Sequence, residues 1–327
     1  MNSRASSDIG SAFYGRRVVV TGGAGFIGGH LGHALVSAGA RVTVLDDLSS
    51  GSPGNLPEGI DFVQGSVQDE SLLRIVFQGC SHVFHLAAMV SVPTSVADPD
   101  GCFERNVFGT EAVLRSAARE GVEGIVHTSS AAVYGSQPSL PSRETDPIQC
   151  ESPYAASKAC GEFLVQSAAR CGRVPGASLR LFNVFGPRQN PDSPYAAVVC
   201  SFVEAAVGGR PIRIFGDGSQ TRDFIPVREV VNAFMLAGVR AAALRGECFN
   251  VGLGVRTSVA DLARMIGGSA GSESRPQYHP SRAGDVQHSC ACLERSRRML
   301  GFNPGASLEE SLGELVLERK SRLPLGS

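Results

Sequence analysis

The stretch Thr21–Gly28, TGGAGFIG, constrains this chain more than any other. It follows RRVVVTG (16–22), a β-branched apolar run, and leads into a helical pattern reaching about Ala38. Small residues at 22, 25 and 28 let the backbone approach a pyrophosphate. The helix N-terminus behind them offers amide donors and a favourable dipole. The next apolar run, RVTVLD (41–46), ends in Asp46 and Asp47. An acid at that strand end accepts bonds from adenosine ribose hydroxyls and repels a 2′-phosphate, which favours NAD over NADP.

Further β-rich runs stand at DFVQGS (61–66), HVFHLA (82–87), GIVHTSS (124–130) and SLRLFNV (178–184), with helical patterns between them. Continuous apolar strands alternating with helices imply a parallel sheet covered on both faces and joined by right-handed crossovers. The expected fold is α/β, a doubly wound Rossmann-type sheet. After GPRQNPDSP (186–194), which reads as a loop, the alternation becomes irregular. Helices near 196–208 and 227–243 flank a short strand, PIRIFG (211–216). CFNVG (248–252) is another strand, and SVADLARMIG (258–267) has an N-cap Ser and a glycine stop. These segments imply a second, smaller α/β lobe. The division expected is a flexible tail over 1–15, a dinucleotide-binding domain over 16–186 completed by segments within about 225–252, and the smaller lobe over most of 187–327.

Composition excludes several classes. With 30 basic and 31 acidic residues the net charge is −1, which argues for neither a nucleic-acid nor a membrane partner. No apolar run approaches the roughly 18–20 residues of a membrane span. MNSRASSDIGSAFYG lacks the apolar core of a signal peptide. Nine scattered cysteines without zinc spacing read as small buried residues in a reducing cytoplasm, and no metal site is expected.

YAASK, Tyr154–Lys158, follows HTSSAAVYG (127–135). Pro153 suits a helix's first turn, so Tyr154 and Lys158 fall at i and i+4 on one face. Tyrosine is a poor base at its ordinary pKa of about 10. A nearby ammonium and a cationic nicotinamide favour the phenolate. The phenolate then takes a proton from a sugar hydroxyl while hydride leaves its carbon. Ser130 or Ser129, at the end of the preceding strand, holds the same oxygen. The three groups make an alcohol-oxidation site beside a nicotinamide.

With HLAA (85–88), NVFGT (106–110), SSAAVYG (129–135) and RLFNVFG (180–186), these motifs resemble the extended short-chain dehydrogenases/reductases. Among them the likeness is to the nucleotide-sugar 4-epimerases of UDP-hexoses and UDP-glucuronate, and it runs from about residue 16 to about 303. The resemblance implies an NAD site lined by Gly22, Gly25, Phe26, Ile27, Gly28, Asp46, Asp47, Val67, Leu86, Ala87, Ala88 and Asn106, with Lys158 on the nicotinamide ribose. Ser66 aligns where many relatives carry an Asp that meets the adenine amine. For a UDP-sugar, the resemblance implies Asn183, Arg222 and Arg282 at the diphosphate and Asp285 on the uridine ribose. It further implies Phe215 near the uracil, Arg213, Val198 and Val199 along the pocket, and Ser289 at the hexose. Arginines suit the diphosphate because they clamp phosphate oxygens with paired donors. Relatives pair through two long helices, here about 100–118 and 153–171, so a homodimer closed by a four-helix bundle is expected.

The resemblance also separates reactions. The family's dehydratases carry an Asp-Glu pair after the catalytic hydroxyl, and its UDP-glucuronate decarboxylases a Glu just before Val-Tyr-Gly. Ala131 and Ala132 stand there, and alanine neither donates nor accepts a proton. The expected reaction is oxidation to a 4-keto sugar, rotation of the sugar, and reduction on the opposite face. Ser289 leaves room for an N-acetyl group or a uronate. Thr128, Ser129 and Ser130 offer donors to a 6-carboxylate, with Arg188 as an electrostatic helper. The same donors serve a hydroxymethyl, and Asn183 and PYAAVV (194–199) look more like UDP-glucose and UDP-N-acetylglucosamine epimerases. UDP-glucuronate is slightly preferred, with those two sugars as alternatives. A non-catalytic NAD-binding regulator would keep the glycine loop but would often lack the Tyr or the Lys.

Overall fold

The computed structural model describes residues 11–137, 139–190, 198–272, 275–281 and 286–322. β1 (Arg17–Thr21) runs through the glycine turn into α1 (Phe26–Ser37). β2 (Arg41–Asp46), β3 (Asp61–Gln64), α2 (Glu70–Phe77) and β4 (His82–His85) follow. Next come the short helices α3 (Val92–Ala97) and α4 (Pro99–Phe103), a π turn over Glu104–Phe108, and α5 (Gly109–Arg119). β5 (Gly124–Ser130), α6 (Pro153–Arg170) and β6 (Gly176–Leu181) complete the first half. These strands and β11 (Cys248–Val251) form one parallel sheet in the order β11-β6-β5-β4-β1-β2-β3. The fold is the doubly wound α/β architecture, with the order reversing outward from β1.

Apolar helix faces cover both sides of the sheet. Leu31 and Leu35 of α1 and the long helix over Val227–Leu244 pack on one face. Leu73, Val76 and Phe77 of α2, Val113 and Ala117 of α5, and Val165 and Ala168 of α6 pack on the other. The tail expected over 1–15 does not reach Phe13. That ring is fully buried, edge-on to His82 at 5.3 Å, because a phenyl group beside the sheet gains more from burial than from solvent.

SLRLFNV is not one strand. The chain breaks at Phe182, and β7 (Asn183–Phe185) leaves the main sheet. α7 (Val198–Val207), β8 (Arg213–Phe215) and β9 (Thr221–Arg222) follow, then β10 (Phe224–Pro226), which pairs with β7, and α8 (Val227–Leu244). After β11 come β12 (Thr257–Ser258), α9 (Val259–Ala270), β13 (Gln277–His279) and α10 (Leu308–Ser321). A smaller core joins α7, α9 and α10 through Phe202, Leu262 and Leu312. Ser258 caps α9 as expected, but Gly267 does not stop it. The helix ends at Gly271, which takes the left-handed conformation at φ 64 that releases the chain.

Two glycines of the turn are required by contact. Gly22 has φ +71, and a Cβ there would lie 2.5 Å from the Ala87 nitrogen. A Cβ on Gly28 would lie 2.3 Å from the Gly22 carbonyl oxygen, so α1 can begin this close to β1 only without one. Gly28→Ala is expected to cost about 1–3 kcal/mol, the scale of overpacking against a backbone that cannot yield. Urea unfolding at pH 7 measures it, and a midpoint equal to the parent's would show that the turn relaxes freely.

Candidate active site

The C-terminal ends of β1, β2, β4 and β5 lie along one edge of the sheet, where doubly wound folds place their ligands. Gly25 caps α1 with no side-chain bond, and the first turn carries no acid. Its amides therefore present unshared donors, the cradle a pyrophosphate needs. Phe26 and Ile27 sit half-buried in that turn, and the backbone of Leu86 and Ala87 passes directly over Gly22. Ala88 follows, half-buried, and Val67 is buried.

Asp46 and Asp47 part ways. Asp46 is buried, with one carboxylate oxygen taking the Ala24 amide at 3.0 Å and the other the Leu48 amide at 2.8 Å. Burial pushes its pKa up, and those two amides oppose the shift. Lone pairs remain for ribose hydroxyls. Asp47 is exposed and takes the Ser49 amide. Ser66 Oγ accepts from the Gln68 amide in a local turn. The uncapped helix end, the glycine cradle and the Asp46 carboxylate fit NAD.

Asn106 was expected to line the cofactor, but its amide is committed elsewhere. Its Oδ1 takes the Met89 amide at 2.7 Å, and its Nδ2 donates to the Met89 carbonyl and to Ser157 Oγ. It braces the segment after Ala88 because a buried amide must spend its donors and acceptors locally.

Ser152 caps α6 through the Ala155 amide and Pro153 takes the first helical position, which places Tyr154 in the first turn. Ser130 Oγ stands close enough to the Tyr154 hydroxyl to interact with it, and it accepts from the Ala132 amide at 3.2 Å. Burial raises the Tyr154 pKa, and the Ser130 hydroxyl works against the rise. Lys158 is 4% exposed, donates to the Thr128 carbonyl at 2.8 Å, and stands 5.9 Å from the Tyr154 ring centroid. Burial pushes its pKa down to about 8.

Strand alternation sorts the hydroxyl run. Thr128 and Ser130 share one face of β5. Thr128 Oγ1 is buried without a partner among the described residues. Ser129, read as a second catalytic candidate, faces the other way. It is buried and donates to Glu162 Oε1 at 2.5 Å.

The remaining candidates divide. Asn183 stands half-buried on β7, and Arg222 on β9 donates to the Thr221 and Gln287 carbonyls. Ser289 is tied to β9 through its amide and the Thr221 carbonyl. Phe215 packs tilted against His279, with centroids 5.5 Å apart, and Arg213 is exposed on the same strand. Val199 is buried in the smaller core, and Val198 packs against that core half-buried. Arg188 turns away, donating to His33 Nε2 and the Asn55 carbonyl with its backbone at φ 63. Arg282, Asp285 and residues 194–197 of PYAAVV lie outside the described residues.

Sequence reasoning missed Glu162, Arg180 and His85. Glu162 continues the Tyr154–Lys158 stripe by one helical turn, and Arg180 is a lone charge inside an apolar strand. Both signals were present, because a charge in a strand covered on both faces needs a buried partner. His85 links Thr21 and Thr110, and burial drives its pKa down to about 3.

Comparison with known proteins places these features among relatives. The model of the NAD dependent epimerase/dehydratase family matches residues 18–252. A UDP-glucose 4-epimerase of Mycolicibacterium smegmatis is 41% identical over 307 residues, covering 92% of this chain and 97% of that one. The structure of a UDP-N-acetylglucosamine 4-epimerase from Methanobrevibacter ruminantium, in complex with UDP-N-acetylmuramic acid, is 36% identical with a TM-score of 0.90. It covers 95% of this chain and 100% of its own. A UDP-glucose 4-epimerase of Thermus thermophilus in complex with NAD is 33% identical with a TM-score of 0.85, covering 94% of this chain and 100% of its own.

Asp46→Ala is expected to narrow the preference for NAD over NADP about tenfold, the scale of one charge repulsion near a surface. Calorimetric titration of both dinucleotides measures it. An unchanged ratio would place Asp46 away from the ribose.

Proposed function

The chain belongs to the NAD-dependent epimerase/dehydratase family, and we propose that within it the protein is a UDP-sugar 4-epimerase. The observation that carries this reading is the meeting of Ser130, Tyr154 and Lys158 at the sheet's C-terminal edge, followed by Ala131 and Ala132. When bound, NAD supplies a reversible two-electron oxidation at C4 of the sugar and is not consumed. Tyr154 takes the proton of the C4 hydroxyl and later returns it. Ser130 shares its hydrogen bond between the phenol and the substrate oxygen. Lys158, still protonated at pH 7, favours the phenolate that burial alone disfavours. No acid stands at 131 or 132 to drive elimination or decarboxylation, so the 4-keto sugar is reduced again, on either face.

Among UDP-sugars we take UDP-glucuronate first. The Thr128 hydroxyl, without a partner among the described residues, supports this choice, since a buried donor needs an acceptor and a C6 carboxylate offers two. Arg188 lends no help in its present orientation. The hydroxymethyl of UDP-glucose or UDP-N-acetylglucosamine is served by the same hydroxyl, so the choice among the three falls to assay.

The test is incubation with each UDP-sugar and chromatographic separation of the 4-epimers. UDP-galacturonate is expected from UDP-glucuronate, with no pentose. Tyr154→Phe should retain NAD and lose at least about 10²-fold in turnover, as removal of a general base does. A pentose product, or a 6-deoxy-4-keto product from UDP-glucose, would overturn the epimerase reading.

We further propose a homodimer through the helices spanning 99–119 and 153–170. Phe108 and Phe163 stand on these helices 64% and 58% exposed, which is unusual for rings that gain by burial. Phe163→Asp is expected to convert a dimer into monomers in light scattering. A parent that is already monomeric at micromolar concentration would remove this interface.

A further inference from the structure

A row of polar side chains crosses the most buried part of the sheet. Ser129 on β5, Arg180 on β6 and Asn250 on β11 are register partners across three neighbouring parallel strands. Glu162 of α6 meets this row. Its Oε1 accepts from Ser129 Oγ at 2.5 Å and from Arg180 Nε at 2.8 Å, and its Oε2 accepts from Arg180 Nη2 at 2.7 Å. The two charged side chains are only 3% and 4% exposed. Beyond them the Arg180 guanidinium lies 4.8 Å over the Tyr134 ring, and Tyr134 donates to Asn250 Oδ1 at 2.6 Å.

Stability does not explain the pair. A buried ion pair loses more hydration than apolar groups of the same volume would, and replacing both members is often neutral or favourable. What the fork adds is direction, because two parallel bonds fix a carboxylate against a guanidinium in one geometry. Here that geometry ties α6 to β6, and the Ser129 hydroxyl ties the end of β5 to both. The tie sits one helical turn beyond Lys158, whose own bond to the Thr128 carbonyl is the second link between the same helix and strand. Just beyond these two links stand the groups that must meet, Tyr154 one turn before Lys158 on the helix and Ser130 one residue after Ser129 on the strand.

We infer that Glu162 and Arg180 are positioning residues for the reaction, clamping the end of β5 through Ser129 so that Ser130 meets the Tyr154 hydroxyl. This rests on the epimerase reading above. The clamp touches neither sugar nor cofactor, so its loss acts on turnover and leaves binding alone.

The experiment compares Ser129→Ala and the double variant Glu162→Met/Arg180→Met with the parent and with Tyr154→Phe. Ser129→Ala keeps the ion pair and removes one bond. Its kcat is expected to fall roughly 10- to 100-fold, the effect of a small displacement at a reacting centre, with KM within about twofold and bound NAD unchanged. The double variant removes both charges. It is expected to melt at or above the parent temperature and still lose kcat, a split that a purely structural role would not produce. Parental kcat in either variant, while Tyr154→Phe is inactive, overturns the clamp and leaves the epimerase reading standing. Should the parent itself convert no UDP-sugar, that reading fails, and hydrogen exchange still decides the clamp. Amides over 128–132 should exchange faster in Ser129→Ala than in the parent, and equal exchange overturns the inference.

Discussion

A parallel sheet covered on both faces gives its polar side chains no water, so each must find a partner inside the protein or at the strand ends. Most of this molecule's chemistry follows from that constraint. At the C-terminal edge the strands release into loops, and the groups there keep donors and acceptors for ligands: the amides of the first turn of α1, the Asp46 carboxylate, and the hydroxyls of Thr128 and Ser130. One residue further in on β5, Ser129 gives its hydroxyl to Glu162, which also takes Arg180 of β6, while Asn250 of β11 accepts from Tyr134 and donates to the Ser142 carbonyl. A single-residue step along β5 thus separates a hydroxyl beside Tyr154 from one that holds the framework.

Burial also sets the working state of the site. It raises the Tyr154 pKa and lowers that of Lys158, each against its charged form. By burial alone the pair is poised toward neutrality. A positive charge brought next to the phenol would lower its pKa again and raise the share of phenolate. The buried imidazoles of His85 and His127 stay neutral beside Lys158 for the same reason, and they fill space and carry hydrogen bonds without adding charge.

The local elements were legible where pattern and chemistry agree. RVTVLD and GIVHTSS form strands over their full length, the Ser-Pro pair starts α6, and Tyr154 and Lys158 share its inner face. Reading failed where a local signal met a tertiary choice. Gly267 is a stop signal in sequence, yet packing carries the helix on to Gly271. Phe13 sits in a polar tail by composition, but a pocket beside His82 and Phe84 takes it. Asn106 and Arg188 are residue types suited to ligands, and protein partners claim both.

The kind of machine was already written in the chain: a strand, a glycine turn and a helix for a dinucleotide, an acid at the second strand's end, and a tyrosine four residues before a lysine. These are spacings within single elements, and backbone geometry converts them directly into direction. Packing alone chose which of Ser129 and Ser130 meets Tyr154, whether Asn106 and Arg188 are spent on protein or ligand, and what neutralises Arg180. Each choice depends on which groups from distant elements arrive at the same place, and a buried polar group takes whichever partner the fold brings within reach.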